Sequence, residues 1–497
     1  MDPEERSEIA STVTSFKPLF TAGEAYPAFE RLVLNARQSV VGCFRVFDPL
    51  TTLRSPEAKE HGDTWFDLIL TKLNDGVSFD ITITDFDPVV ATDHHRASWR
   101  SARVLAALDV LSERGLMSFD IAMHPARVGL LPQLALQPKI QAELQEKESD
   151  ELTPGLEEAK ASIPVPLVPA THHQKLAMVD DEWLYIGGLD LNDRRYDTSN
   201  HEQPAEETWQ DINCIVSGPV VQSASRHLRS FKGICAGDEE PSPREPGFLR
   251  TVSKARLLPV ARISPKPVIT EIEAAHLDAI ARCDGLIYLE TQFFRHAPLA
   301  EALAKRAVQC DSLGGVLVLP AAPEDVAFEG NDREDAQLGA QKQLEALEIL
   351  REGLGPRLAI VAPARPVETT VPGPGALFDA PIIYVHSKLS LFGSDEAILS
   401  SANLNGRSMR WDTEAGLLLT DREIVSDLRQ RAFKHWFGTF APDLSGPAPQ
   451  IVEWVAGAAA ENMVTAPAER KHFLLPYPFG RDAALASPLP GVPDEMV

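Results

Sequence analysis

The sequence predicts an α/β protein of two similar lobes, each a mixed β-sheet flanked by helices, related by a pseudo-twofold with one cleft between them. Three observations carry this. Apolar, β-branched runs alternate with amphipathic stretches in both halves. Residues 173–195 recur, without a gap, as residues 386–408. Residues 236–247 (AGDEEPSPREPG) are rich in Pro, Gly and charge, as a linker between halves would be.

In the first half, residues 28–36 read as a helix and 40–47 (VVGCFRVF) as a strand. Residues 64–73 and 98–111 read as helices, 79–84 (FDITIT) and 119–123 (FDIAM) as strands. A polar, helix-prone insertion over 125–165 interrupts the rhythm, which resumes with strands at 184–188 and 212–216 and a helix at 221–231. In the second half, helices at 270–282, 298–308 and 335–352 precede strands at 286–292, 316–320 and 358–363. The expected organisation is a first lobe over 1–235, the linker 236–247, a second lobe over 248–440, and a Pro/Ala-rich extension, 441–497, wrapping the surface or partly disordered.

The length of 497 residues holds two to four units of about 100–200 residues each. With 47 Lys+Arg against 72 Asp+Glu, the net charge of −25 disfavours nucleic acid, whose binding needs cations to displace counterions. It also points to zwitterionic rather than anionic lipid surfaces as partners, if the acidic residues cover the outer faces. Cys43, Cys214, Cys235, Cys283 and Cys310 show no paired or metal-ligand spacing and read as reduced thiols. The acidic start MDPEERSEIAS lacks the features of a secretory leader, and no apolar run of about 18 residues predicts a membrane span. The expectation is a soluble monomer that begins in the cytoplasm.

The repeat carries the chemistry. HQKLAMVDDEWLYIGGLDLNDRR aligns His173 with His386, Lys175 with Lys388, Asp190 with Asn403, Asn192 with Asn405 and Arg194 with Arg407 in HSKLSLFGSDEAILSSANLNGRS. Gly187-Gly188 meets Ser400-Ser401. Residues i and i+2 of a strand project to one face, so each His points with its Lys at one spot. Small residues at Gly188 and Ser401 permit close backbone approach, and Asp190 and Asn403 reach the same spot as substrate contacts. Two ammonium groups suit the oxygens of a phosphate, and two opposed imidazoles suit in-line displacement at phosphorus. One His attacks; the other protonates the leaving oxygen and then activates water. Asp211 and Glu414, each before an apolar run, are placed to orient the imidazoles. Asn192 and Asn405 read equally as turn caps, and Arg194 and Arg407 as braces. His94 and His95 fall in a polar stretch read as a solvated loop before a helix, and Trp65, Trp99 and Trp183 as packing residues.

On these residues the chain resembles the phospholipase D superfamily, with its duplicated HxKxxxxD motif, here over 173–180 and 386–393. WQDINCIVSGPVV and LIYLETQFF are similar to flanking segments of lipid-cleaving members. The resemblance implies the phospholipase D fold with its site between lobes, and a metal-independent phosphodiesterase reaction without cofactor. His173 would be the nucleophile and His386 the acid. It implies head-group hydrolysis or transfer on glycerophospholipids at a membrane surface, by a peripheral protein. Cardiolipin-synthase-like transfer, another phosphodiester such as nucleic acid, and a degenerate lipid-binding member are the alternatives. Export by a leaderless route is the alternative to a cytoplasmic location. One departure stands out: Asp180 completes the first motif, but Gly393 holds its place in the second. That Asp is expected to tie down the strand–turn, with Asp395 or a backbone group as its substitute.

Overall fold

A computed structural model describes residues 3–146, 153–369, 371–487 and 496. The centre of the 125–165 insertion, 147–152, and the end of the C-terminal extension, 488–495 and 497, lie outside the described residues.

The first half forms strands β1 (Ser15–Phe20), β2 (Ser39–Phe44), β3 (Ser78–Thr84), β4 (Met117–Ala122), β5 (Leu176–Val179), β6 (Trp183–Gly187) and β7 (Ile212–Ser217). They make one sheet in the order β1-β7-β6-β5-β2-β3-β4. The second half forms β8 (Phe248–Lys254), β9 (Lys266–Thr270), β10 (Leu286–Thr291), β11 (Gly314–Val318) and β12 (Leu358–Pro363). A two-residue pair, β13 (Ala376–Leu377) and β14 (Ala380–Pro381), precedes β15 (Lys388–Phe392), β16 (Glu396–Ser400), β17 (Glu414–Leu419) and β18 (Leu474–Pro476). The second sheet runs β18-β12-β11-β10-β15-β16-β17-β8-β9. Read from β8 to β12, its order repeats that of the first sheet strand for strand. In both, the three strands at one end are parallel, joined by helical crossovers, and the rest are antiparallel. The sequence repeat is thus the visible part of a duplicated sheet.

The alternation of apolar residues explains how the sheets stack. Leu176 and Met178 of β5, Ile186 of β6 and Cys214 and Val216 of β7 share one buried cluster with Leu389 and Leu391 of β15, Leu399 of β16 and Leu417 of β17. One face of each sheet therefore builds a common core, closed by the helices Val220–Ala236 and Arg422–Phe437. The opposite faces bury separate clusters against each lobe's own helices.

Two differences from the sequence reading have physical causes. Residues beyond 441 are not a simple wrapping: Ala448–Val464 is a helix whose Ile451, Val452 and Val455 enter the common core, and β18 adds to the sheet edge beside β12. A three-residue strand ending on a proline has no periodicity to betray it. His94 and His95 are not in a solvated loop but in the first turn of the helix Thr92–Leu111. His95 is fully buried, its Nδ1 2.5 Å from Asp85 Oδ1 and its Nε2 2.5 Å from Thr153 Oγ1. Its polar partners come from remote segments, which local composition cannot show. Cys43, Cys214, Cys235 and Cys283 are buried and Cys310 partly exposed, all as free thiols. No helix among the described residues is long and apolar enough to cross a membrane.

Candidate active site

The lobes are stitched together at the two motif histidines. The His173 N–H donates to Thr413 O at 2.8 Å, and the His386 N–H to Gln210 O at 2.8 Å. Thr413 N–H donates to Thr171 O at 2.9 Å and Gln210 N–H to Tyr384 O at 2.8 Å, the same pattern in the other half. Each histidine therefore runs beside the residue preceding the opposite lobe's carboxylate. The consequence is an exchange of partners. His173 Nδ1 lies 2.9 Å from Glu414 Oε1, and His386 Nδ1 lies 2.6 Å from Asp211 Oδ2. With Nδ1 held, Nε2 is the nitrogen available on each ring.

Gly188 and Ser401, expected at the substrate, sit instead behind these carboxylates. A Cβ on Gly188 would fall 2.0 Å from Asp211 Oδ1, so only glycine leaves room for that side chain. Ser401 Oγ donates to Glu414 Oε2 and accepts the Ala415 N–H at 3.1 Å. Their correct part is holding a carboxylate, and the substrate-contact expectation for both is withdrawn.

Both lysines are buried, and each ammonium donates to the carbonyl of its own histidine. Lys175 Nζ is 3.9 Å from Asp190 Oδ2. Asp190 Oδ1 also accepts the Val46 N–H at 2.8 Å. Asn403 donates through Nδ2 to Gln292 Oε1 at 3.1 Å, while its buried Oδ1 has no partner among the described residues. The first lobe thus pairs its lysine with a carboxylate where the second has an amide.

Burial opposes charge throughout the site. It pushes both imidazoles well below their ordinary pKa, helped for His173 by Lys175, Arg45 and Lys388, and for His386 by Lys388, Lys175 and Arg195. It raises Asp211 to about 7 against the pull of Lys388, and Glu414 to about 8 against that of Lys175. It lowers Lys388 to about 7, and Lys175 in the same direction. The exchanged pairs His173–Glu414 and His386–Asp211 bring both rings to the same seam between the lobes.

Asp180 has φ +57°, and its carboxylate accepts the N–H groups of Arg37, Gln38 and Ser39 at 2.8, 2.7 and 3.0 Å. Gly393 has φ +62°, and its N–H donates to Leu286 O just as that of Asp180 donates to Ser39 O. The first turn residue is therefore left-handed in both copies, a conformation a glycine adopts without cost, although the next residue differs: Asp181 has φ +55° whereas Ser394 is not left-handed. Asp395 is no substitute: it faces Arg6 and Arg422. Asn192 caps the Arg194 N–H at 2.7 Å and Asn405 that of Ser408 at 3.0 Å. Arg194 crosses to Glu324 of the second lobe at 2.7 Å, whereas Arg407 pairs within its lobe with Asp412, which accepts the Thr171 N–H. His172 bonds Thr413 Oγ1 at 2.8 Å, beside the site.

Sequence reasoning missed Arg45, Arg195 and Trp209. Trp209 packs on the His386 ring at 4.6 Å between centroids, with the Arg195 guanidinium 3.7 Å from the centre of its ring. Arg45 occupies the register position of Gln292, one residue beyond strands β2 and β10, and extending the repeat upstream would have paired them. A cavity of about 190 Å³ opens beside them, lined by Val46, Phe47, Ile83, His94, Arg194 and Arg195. Among the described residues no three His, Cys, Asp or Glu side chains are grouped to hold a metal ion.

No family model matches the chain. It is 30% identical over 220 residues to a phospholipase D of Phytophthora infestans, covering 36% of this chain and 12% of that one. It is 26% identical over 194 residues to phospholipase D alpha 3 of Arabidopsis thaliana, 25% of this chain and 24% of that one. With phospholipase D alpha 1 of Cynara cardunculus it shares 22% over 358 residues, 48% of this chain and 44% of the relative. The matched part is thus less than half of each relative. The crystal structure of phosphatidylserine synthase from Haemophilus influenzae Rd KW20 superposes with a TM-score of 0.52 at 12% identity, over 92% of this chain and 97% of that one. A duplicated α/β sheet with paired histidines at the seam defines the class. In sequence and in fold the chain is similar to members of the phospholipase D superfamily, and these likenesses support that class.

Proposed function

We propose that the chain is a phosphodiesterase that cleaves or transfers the head group of glycerophospholipids, with both lobes supplying one site. The single observation that carries this reading is the exchanged pairing of His173 with Glu414 and of His386 with Asp211. Glu414 holds the Nδ1 proton of His173, leaving a neutral Nε2 to attack phosphorus. The P–O bond to the head group breaks as the N–P bond forms, and the leaving oxygen takes a proton from His386 Nε2, whose protonated form Asp211 and the bound phosphate anion support against the burial that lowers its pKa. His386 then accepts a proton from water, whose oxygen displaces His173. Lys175 and Lys388 offset charge on the non-bridging oxygens. The products are phosphatidic acid and an alcohol. When an alcohol replaces water, the product is a new diester. The likeness to a phosphatidylserine synthase supports keeping this transfer as the second reading.

The degenerate reading rests on Gly393; the left-handed φ that Gly393 shares with Asp180 favours a structural role for that position. The protein would work as a monomer at a membrane surface without spanning it. Release of choline or ethanolamine from mixed phospholipids by wild type, and its loss in His173→Ala, tests the proposal. No release from any lipid by a wild type that still binds lipid would overturn it. Added primary alcohol separates transfer from hydrolysis.

A further inference from the structure

Residues 254–266, KARLLPVARISPK, join β8 to β9 and contain four cations, Lys254, Arg256, Arg262 and Lys266, with no carboxylate. In a chain of net charge −25 this is the reverse of the average. None of the four makes an ion pair among the described residues; Arg256 spends its guanidinium on the carbonyls of Ser264 and Pro265, which shapes the loop. Between the cations, Leu257 is 100% and Leu258 84% exposed, and Val260 is exposed as well. The loop does not stand alone. The N–H groups of Gly129, Leu130 and Leu131 donate to Arg262, Pro259 and Val260 at 2.7, 3.1 and 2.9 Å. This fixes the start of the helix Leu130–Glu146, with exposed Leu130, Leu131 and Leu134, against it.

Two exposed leucines in a row, joined by a second exposed leucine cluster, leave an apolar patch unburied, which marks a binding surface. Cations interleaved with leucines fit one partner chemistry, an anionic phospholipid surface: leucines enter the acyl boundary while cations meet phosphates. The root of the loop lies at the site. Ser253 Oγ donates to Trp411 O, and Ser253 O lies 3.2 Å from His124 Nε2, whose ring packs on that of His172 beside His173.

We propose that the 254–266 loop, together with the start of the helix Leu130–Glu146, docks the protein on anionic phospholipid membranes and brings the cleft to the lipid. This deepens the phospholipid reading of the site and rests on it. It reverses the preference for zwitterionic surfaces expected from the net charge, because contact is made by a local cationic patch rather than by the average surface.

The test uses the full chain and co-sedimentation with vesicles of pure phosphatidylcholine or of 70:30 phosphatidylcholine:phosphatidylglycerol, at low and high salt. Wild type is expected to bind the mixed vesicles at least fivefold better, with the advantage lost at high salt. Leu257→Ser/Leu258→Ser should weaken binding to mixed vesicles at least tenfold. Lys254→Gln/Arg262→Gln should bring them close to pure phosphatidylcholine. Circular dichroism melts identify a variant that fails to fold, in which case Leu258→Ser alone is used. Equal binding of wild type to both vesicles, or unchanged binding by the leucine variant, overturns the inference. Hydrolysis of a monomeric short-chain phospholipid by wild type is measured in parallel. Its absence, with loop-dependent vesicle binding intact, would fault the catalytic reading and leave the docking surface standing.

Discussion

His173 Nδ1 lies 2.9 Å from Glu414 Oε1 across 241 residues of sequence, so the histidine of one lobe is oriented by the carboxylate of the other. The mirror pair, His386 with Asp211, makes neither half complete alone. That division of labour has consequences for each step.

If Asp211 positions the acid and Glu414 the nucleophile, their variants differ by leaving group. Asp211→Asn should lower kcat about 100-fold for alkyl head groups and much less for a p-nitrophenol leaving group, which needs no proton. Glu414→Gln should slow both substrates alike. Equal sensitivity of the Asp211 variant to the two leaving groups contradicts the assignment.

Gly188→Ala should behave as a partial Asp211→Asn, because the added Cβ would occupy the space of Asp211 Oδ1. The expected signature is the same leaving-group dependence with a folded protein by circular dichroism. Wild-type kinetics in Gly188→Ala would show that the carboxylate can move without consequence.

The pH dependence follows from the depressed His173 pKa, caused first by burial and then by Lys175 and Arg45. In the proposed mechanism the attacking form is neutral. A group with a lowered pKa keeps that form below pH 6.5 and loses it only as pH falls through the folded value. The acid limb of kcat/KM against pH should therefore have its midpoint below 6.5. A midpoint at or above 6.5 would mean that the nucleophile is solvated.

Gly393→Ala should cost about 1 kcal/mol in urea unfolding, since φ is +62° and an added Cβ meets only Cys283 Sγ at 3.9 Å. Gly393→Asp should recover much of this, because Asp180 shows that a carboxylate in this turn accepts three N–H groups. Both should retain activity. A large gain in activity for Gly393→Asp would mean that the glycine limits catalysis.

Much of the site was legible because its residues lie in a gap-free repeat. The His and Lys positions stand out through the repeat, although His173, Lys175 and His386 precede strands β5 and β15 rather than lying in them, and the capping by Asn192 and Asn405 follows from turn chemistry. What escaped depends on distance in sequence. Which carboxylate serves which histidine is decided by the seam between lobes, not by either copy. His95 reads as solvated until Asp85 and Thr153 are folded onto it. Gly188 and Ser401 look alike as small residues, but one makes room for a carboxylate and the other bonds one. The basic loop at 254–266 was hidden by averaging charge over the whole chain.

The most direct test of the central claim is to trap the covalent intermediate. His386→Ala, lacking both the acid and the base, should still be attacked through His173 on a short-chain phosphatidyl p-nitrophenol and then stall. Rapid quench at alkaline pH and peptide mass mapping should find an acid-labile phosphatidyl group on His173. A stable burst with the group on another residue, or turnover without any adduct, would contradict the account.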